Sequence, residues 1–112
     1  MKQVLATDQA PAAIGPYSQG IAASETVYVS GQLPLDPATG AFPEGIAAQT
    51  AQSLKNIQAI LAQQGMTLAN VVKTTVFLAD INDFAEMNKV YGEFFTQPYP
   101  ARSAVQVAKL PK

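Results

Sequence analysis

The chain has 112 residues, 48% of them hydrophobic and 13% charged. That is one domain's worth of sequence, too apolar for disorder, and its sparse charge points to surface covered by a partner. Seven basic against eight acidic residues leave a net charge of −1, which disfavours a nucleic-acid partner, while the absence of Cys and His excludes disulfides, thiolate nucleophiles, imidazole bases and the commonest transition-metal ligands.

No run long enough to span a membrane occurs, and Met1-Lys2-Gln3-Val4-Leu5 lacks the apolar stretch of a signal peptide, so a cytoplasmic protein with no membrane partner is expected. Ala10 to Gly20, with Pro11, Gly15, Pro16 and Gly20, reads as an ordered loop running into a strand. In Thr26-Val27-Tyr28-Val29-Ser30 the two valines share one face, which predicts a strand closed by Gly31. Pro34, Asp36, Pro37, Thr39 and Gly40 then mark a turn. From Glu44 to Gln64 the positions Ile46, Thr50, Leu54, Ile57 and Leu61 recur every three or four residues, predicting an amphipathic helix that starts after Pro43 and closes at Gly65. Val71 to Ala79 is rich in β-branched residues and reads as the longest strand, placed centrally. Asp83 and Glu86 resemble a capping box ahead of a second helix ending near Phe95, and Arg102 to Ala108 alternates as the last strand.

Two helices among four strands predict a single α+β domain, a sandwich with a mixed sheet and both helices on one face. The other sheet face is partly apolar and has no second helical layer to cover it, which predicts a homo-oligomer.

Few residues remain for chemistry. Arg102 is the only arginine; it follows Pro98-Tyr99-Pro100 and opens a strand, where a guanidinium fork can take a carboxylate, although most arginines are exposed and paired with an acid. Tyr17, in Gly15-Pro16-Tyr17-Ser18-Gln19-Gly20, either faces a cleft or packs. Ser30-Gly31 offers a hydroxyl and an approachable backbone, and taken alone is better read as a turn. Asn88 stands in mid-helix, where an amide calls for a specific partner or faces solvent. Phe84, Tyr91, Phe94 and Phe95 lie at helical spacing and read as core. No phosphate loop, acidic cluster or zinc signature is present, so neither cofactor nor metal is expected.

Four segments in order, Ala10–Gly20, Val29-Ser30-Gly31-Gln32-Leu33-Pro34, Val72-Lys73-Thr74-Thr75-Val76-Phe77-Leu78 and Pro100–Lys112, resemble the RidA family, also called YjgF/YER057c/UK114, across essentially the whole chain. The resemblance implies a chorismate-mutase-like fold of the bacillus type, a homotrimer with clefts between subunits, and a reactive-intermediate deaminase. Such an enzyme hydrolyses 2-iminopropanoate or 2-iminobutanoate, tautomers of enamines released by pyridoxal-phosphate enzymes, to a 2-keto acid and ammonia. Arg102 would clamp the substrate carboxylate, Ala104 would contribute backbone contacts where many relatives have cysteine, and Tyr17, Ser30, Gly31 and Asn88 would line the cleft. A protonated imine carbon is already electrophilic, so orientation and electrostatics can carry the addition of water without metal or covalent nucleophile.

One departure stands against the resemblance. Family members continue past the Leu-Pro-Lys stretch into a final strand with a glutamate thought to position the attacking water, and this sequence ends at Lys112. The domain is therefore expected to lack that strand, and no catalytic residue is assigned. A non-catalytic module that binds small carboxylates is the alternative; an RNA-acting role ranks last, given the neutral charge and missing histidine.

Overall fold

The computed structural model describes residues 1–112. Its strands are β1 (Lys2–Leu5), β2 (Gly20–Ala23), β3 (Thr26–Val29), β4 (Lys73–Leu78) and β5 (Ala101–Gln106); the helices are α1 (Ile46–Ala62) and α2 (Phe84–Phe94), each preceded or followed by short 3-10 turns at Leu68–Asn70 and Ile81–Asp83. β1, β2 and β3 form an antiparallel ladder, while β4 and β5 pair in parallel. Together the two ladders, on one layer of two helices, make the expected α+β arrangement.

β1 has no counterpart in the sequence reading. It has four residues and buries only Leu5, too little for an alternating pattern to register. The β2–β3 hairpin turns through Ser24 and Glu25, with Ser24 left-handed at φ 53°, a conformation usually signalled by Gly or Asn. Gly20 lets β2 lie directly on α1: a Cβ there would stand 2.8 Å from the Ile60 methyl, and Ile60 is fully buried.

α1 ends as its sequence demands. Gly65 is left-handed at φ 69°, its N–H donates to Ala62 O at 3.1 Å, and the Met66 N–H reaches back to Leu61 O at 3.0 Å, a Schellman closure. The start of α2 differs from expectation. Asp83 makes no side-chain cap; Asp80 accepts the Asn82 N–H at 2.9 Å instead, because a 3-10 turn intervenes and shifts the cap three residues upstream. A reciprocal capping box does occur, at Thr67 and Asn70.

The core has two parts. Leu54, Leu61, Leu68, Leu78, Met87, Tyr91 and Phe95 join α1, α2 and β4, and Leu5, Ala10, Ala22 and Ile60 seat β1 and β2 on the other end of α1. Val27 and Val29 of β3 pack against both. Val27 and Val29 of β3 and Val76 of β4 pack against one cluster, yet no hydrogen-bonded pairing joins the two strands. β4 is consequently not flanked on both sides as the sequence suggested: it pairs with β5 alone, and its six residues equal β5 in length.

The ladder registers identify the open groups. Ser30 N donates to Gln19 O, so pairing alternates to leave the N–H and C=O of Val27 and Val29 pointing away from β2. Val72 O and Leu78 O accept from β5, so Lys73, Thr75 and Phe77 turn their backbone groups to the other side. On the strand faces remote from the helices, Val4, Tyr28, Phe77 and Val105 are each at least 44% exposed, the partly apolar face expected from the strand pattern.

Candidate functional site

Arg102 opens β5 beside Thr74 of β4, and its side chain turns toward α2. There Phe84, Asn88 and Tyr91 occupy one stripe, spaced by four and three residues. The guanidinium carbon lies 4.6 Å from the Tyr91 ring centre and 5.4 Å from that of Phe84, and Nη1 donates to Asn88 Oδ1 at 2.7 Å. Tyr91 is itself fixed by a 2.7 Å hydrogen bond between its hydroxyl and that of Thr74. Two ring faces and one amide therefore set the plane of the guanidinium, at about 0.5–2 kcal/mol per ring contact. Each of these partners is neutral, so the cation's charge is oriented without being cancelled, and its remaining N–H donors suit a carboxylate. The aromatic pair read from sequence as core is core, and it also supports the arginine. Ala104, two residues on, lies on the same half-buried side of β5.

Tyr17 and Ser30 assemble elsewhere. Gly15, at φ 130°, makes a tight turn in which Tyr17 N donates to Gly15 O at 2.9 Å, leaving the tyrosine half exposed. Ser30 Oγ donates to Ser18 O at 2.6 Å and Ser30 N donates to Gln19 O at 2.9 Å, tying the end of β3 to the Tyr17 loop. With its proton engaged, the Ser30 oxygen keeps lone pairs for an incoming N–H. Lys2, Pro16, Tyr17, Ser18, Tyr28 and Ser30 line an open cleft of about 400 Å³. Gly31 is neither left-handed nor crowded, since a Cβ would meet nothing within 4 Å, so the turn favoured for Ser30-Gly31 in isolation does not account for the glycine.

The six candidate residues thus form two clusters. Arg102, Asn88 and Ala104 lie on β5 and α2; Tyr17, Ser30 and Gly31 lie at the end of β3 and its neighbouring loop, and none of the first group lines the cleft of the second. Within one chain they do not meet.

Two buried amides behind the second cluster escaped the sequence reading. Gln19, 5% exposed, accepts Thr7 N at 2.7 Å and donates to the carbonyls of Thr7, Ala10 and Pro11. Asn56, fully buried on α1, donates to Leu33 O and Leu35 O and accepts from Gln52 Nε2 at 2.9 Å, pinning the segment after Gly31. The available signal was an amide on the apolar side of α1, four residues before Ile60.

The α+β fold thus presents an oriented arginine with no acid among its partners and, apart from it, an open cleft at a strand end. Residues 7–112 match the family described as Endoribonuclease L-PSP, and the chain belongs to that family. It is 51% identical, over all of its length and 90% of the relative's, to a 2-iminobutanoate/2-iminopropanoate deaminase of Salmonella typhimurium. It is likewise 51% identical to the protein of that name from Bos taurus, covering all of this chain and 82% of the relative. Among solved structures, RidA from an Antarctic Psychrobacter superposes with a TM-score of 0.94 at 51% identity, covering 98% of this chain and 89% of that one. Escherichia coli TdcF with bound serine gives a TM-score of 0.94 at 45% identity over the same shares. These matches confirm the fold and family that the four sequence segments resemble.

Proposed function

We propose that this protein hydrolyses 2-iminopropanoate and 2-iminobutanoate to the 2-keto acid and ammonia, with Arg102 holding the substrate carboxylate. The observation that carries the reading is the guanidinium itself, oriented by Asn88, Tyr91 and Phe84 with no acid among its partners, in a chain half identical to proteins named for this reaction. The bound serine named for TdcF, a molecule with a carboxylate beside a nitrogen-bearing carbon, supports the ligand class. In the reaction, water adds to the C=N carbon of the protonated imine, a proton moves from oxygen to nitrogen, and the carbinolamine expels ammonia as the carbonyl forms. Ser30, whose oxygen can accept, would take an N–H of the iminium; Tyr17 would wall the cleft, Gly31 would admit close backbone approach, and Ala104 would offer backbone contacts. No side chain is assigned to the attacking water.

Because the two clusters do not meet within a chain, the complete site forms between subunits of a homotrimer that buries the apolar face bearing Val4, Tyr28, Phe77 and Val105. Residues 1–112 belong to a single domain, which works in the cytoplasm; no helix is long and apolar enough to cross a membrane.

The test is keto-acid release from enamine generated by a pyridoxal-phosphate dehydratase acting on serine or threonine. A rate above that of buffer that grows with the concentration of this protein supports the reading. Binding of 2-oxobutanoate with no such acceleration overturns it in favour of a carboxylate-binding module.

A further inference from the structure

We infer that Gln19 is a positioning residue, whose buried carboxamide fixes Tyr17 and Ser30 from behind the cleft wall; the inference rests on the deaminase reading. The cleft is lined by Pro16, Tyr17, Ser18 and Gly20, but not by Gln19, whose side chain turns the other way into the protein. An amide has two N–H donors and one carbonyl oxygen. Here Nε2 serves Pro11 O at 2.7 Å, Thr7 O at 3.0 Å and Ala10 O at 3.3 Å, while Oε1 takes Thr7 N at 2.7 Å, so the donors are fully subscribed. The same residue's backbone carbonyl accepts Ser30 N, and its neighbour's carbonyl accepts Ser30 Oγ.

Residues 18 and 19 are thereby gripped on two sides: the side chain of Gln19 ties them to the segment Thr7–Pro11, and their carbonyls hold both polar groups of Ser30. Tyr17 is the next residue back, with its own N–H closed onto Gly15. If the carboxamide is lost, the Thr7–Pro11 segment loses its tether and the Ser18–Gln19 carbonyls lose the fixed direction that aims the Ser30 oxygen. A displacement on the order of 1 Å is enough to degrade a preorganised site.

The inference is tested with Gln19→Met, Ser30→Ala and the double variant, in the full chain. Gln19→Met is expected to lower kcat/KM about tenfold, the effect of roughly one misplaced hydrogen bond. Acting through Ser30, it should cost less than twofold more in the Ser30→Ala background. A second readout is independent of turnover: amide exchange at Ser30 should accelerate by more than tenfold while the amides of Met87 and Tyr91 on α2 stay as protected as before. Should Gln19→Met not fold, Gln19→Glu, which keeps the acceptor for Thr7 N, carries the same cycle. Additive losses, exchange rising equally on α2, or loss of fold in both variants would overturn the inference and leave Gln19 a purely structural residue. If the wild type shows no imine turnover, the deaminase reading falls, and Gln19 is judged by the Ser30 exchange and by 2-oxobutanoate affinity in the same variants.

Discussion

Replacing Arg102 separates a carboxylate clamp from an ordinary surface arginine. Its guanidinium is half-buried over Tyr91 and donates to Asn88, so a bound carboxylate would meet a cation already oriented and shielded on one side. Truncating one partner of a buried, hydrogen-bonded charge pair costs about 2–5 kcal/mol, and partial exposure selects the lower end. At about 2–3 kcal/mol, Arg102→Ala should weaken 2-oxobutanoate binding about 30- to 150-fold. Arg102→Lys retains the charge but loses the planar fork and its match to the two rings, and should weaken binding about tenfold. The variant also gives up one hydrogen bond and the ring contacts, so circular dichroism and thermal melting should show an intact fold with stability lowered by about 1–2 kcal/mol. Isothermal calorimetry on the folded variants decides the matter. An alanine variant that binds the keto acid as tightly as the wild type would refute the clamp, whatever happens to stability.

Further outcomes follow from the same geometry. Asn56→Leu leaves the carbonyls of Leu33 and Leu35 without their donor in the core and should lower stability by about 2–4 kcal/mol in urea unfolding; a loss below about 0.5 kcal/mol would mean that those carbonyls reach water. Gly20→Ala pushes a methyl onto Ile60 and should cost about 1–3 kcal/mol by the same measurement, with no change meaning that β2 lifts freely off α1. Mixing Arg102→Ala with Ser30→Ala subunits under exchange conditions should restore turnover above either parent, because some of the proposed inter-subunit sites would then carry both native clusters; activity no greater than the parents' average would place each site within one chain.

The parts of the fold legible in the sequence are those where local chemistry and tertiary packing agree. α1 announced itself through the spacing of Leu54, Ile57 and Leu61 and the closing Gly65, and β3 through the alternation of Val27 and Val29. β1 was illegible because an edge strand with one buried residue owes its conformation to the pairing of Lys2–Leu5 with Gly20–Ala23, a contact made across the fourteen residues 6–19. The Asp83 cap failed for a related reason: the spacing to Glu86 was right, but the chain spends a 3-10 turn first. At the candidate site, Asn88 was conspicuous as an amide in mid-helix, and its partner proves to be Arg102. Gln19 and Asn56 were less conspicuous, since all the acceptors they donate to are backbone carbonyls, which carry no signature in side-chain sequence.

The two open strand edges bear on turnover as well as stability. Val27 and Val29 of β3, and Lys73, Thr75 and Phe77 of β4, direct backbone donors and acceptors away from their only partners, while the side chains of both strands enter one core. A strand laid along these edges would satisfy them at about 0.5–1.5 kcal/mol net per hydrogen bond, against roughly 1–2 kcal/mol for each residue ordered. The balance turns favourable only if its side chains also bury apolar area on α1. Appending the final strand implied by the family resemblance should therefore raise the urea midpoint and suppress edge-to-edge aggregation measured by light scattering. Its effect on catalysis should be larger than on binding. In the proposed site Arg102 would grip the carboxylate in ground and transition states alike, whereas a glutamate on that strand would act on the attacking water, felt chiefly in the transition state. General-base assistance is worth about 10²- to 10⁴-fold, so keto-acid affinity of the two forms should agree within about tenfold while turnover differs by at least about a hundredfold. Equal turnover would show that residues already present in the 112-residue chain orient the water, and the strand's contribution would then reduce to closing the sheet.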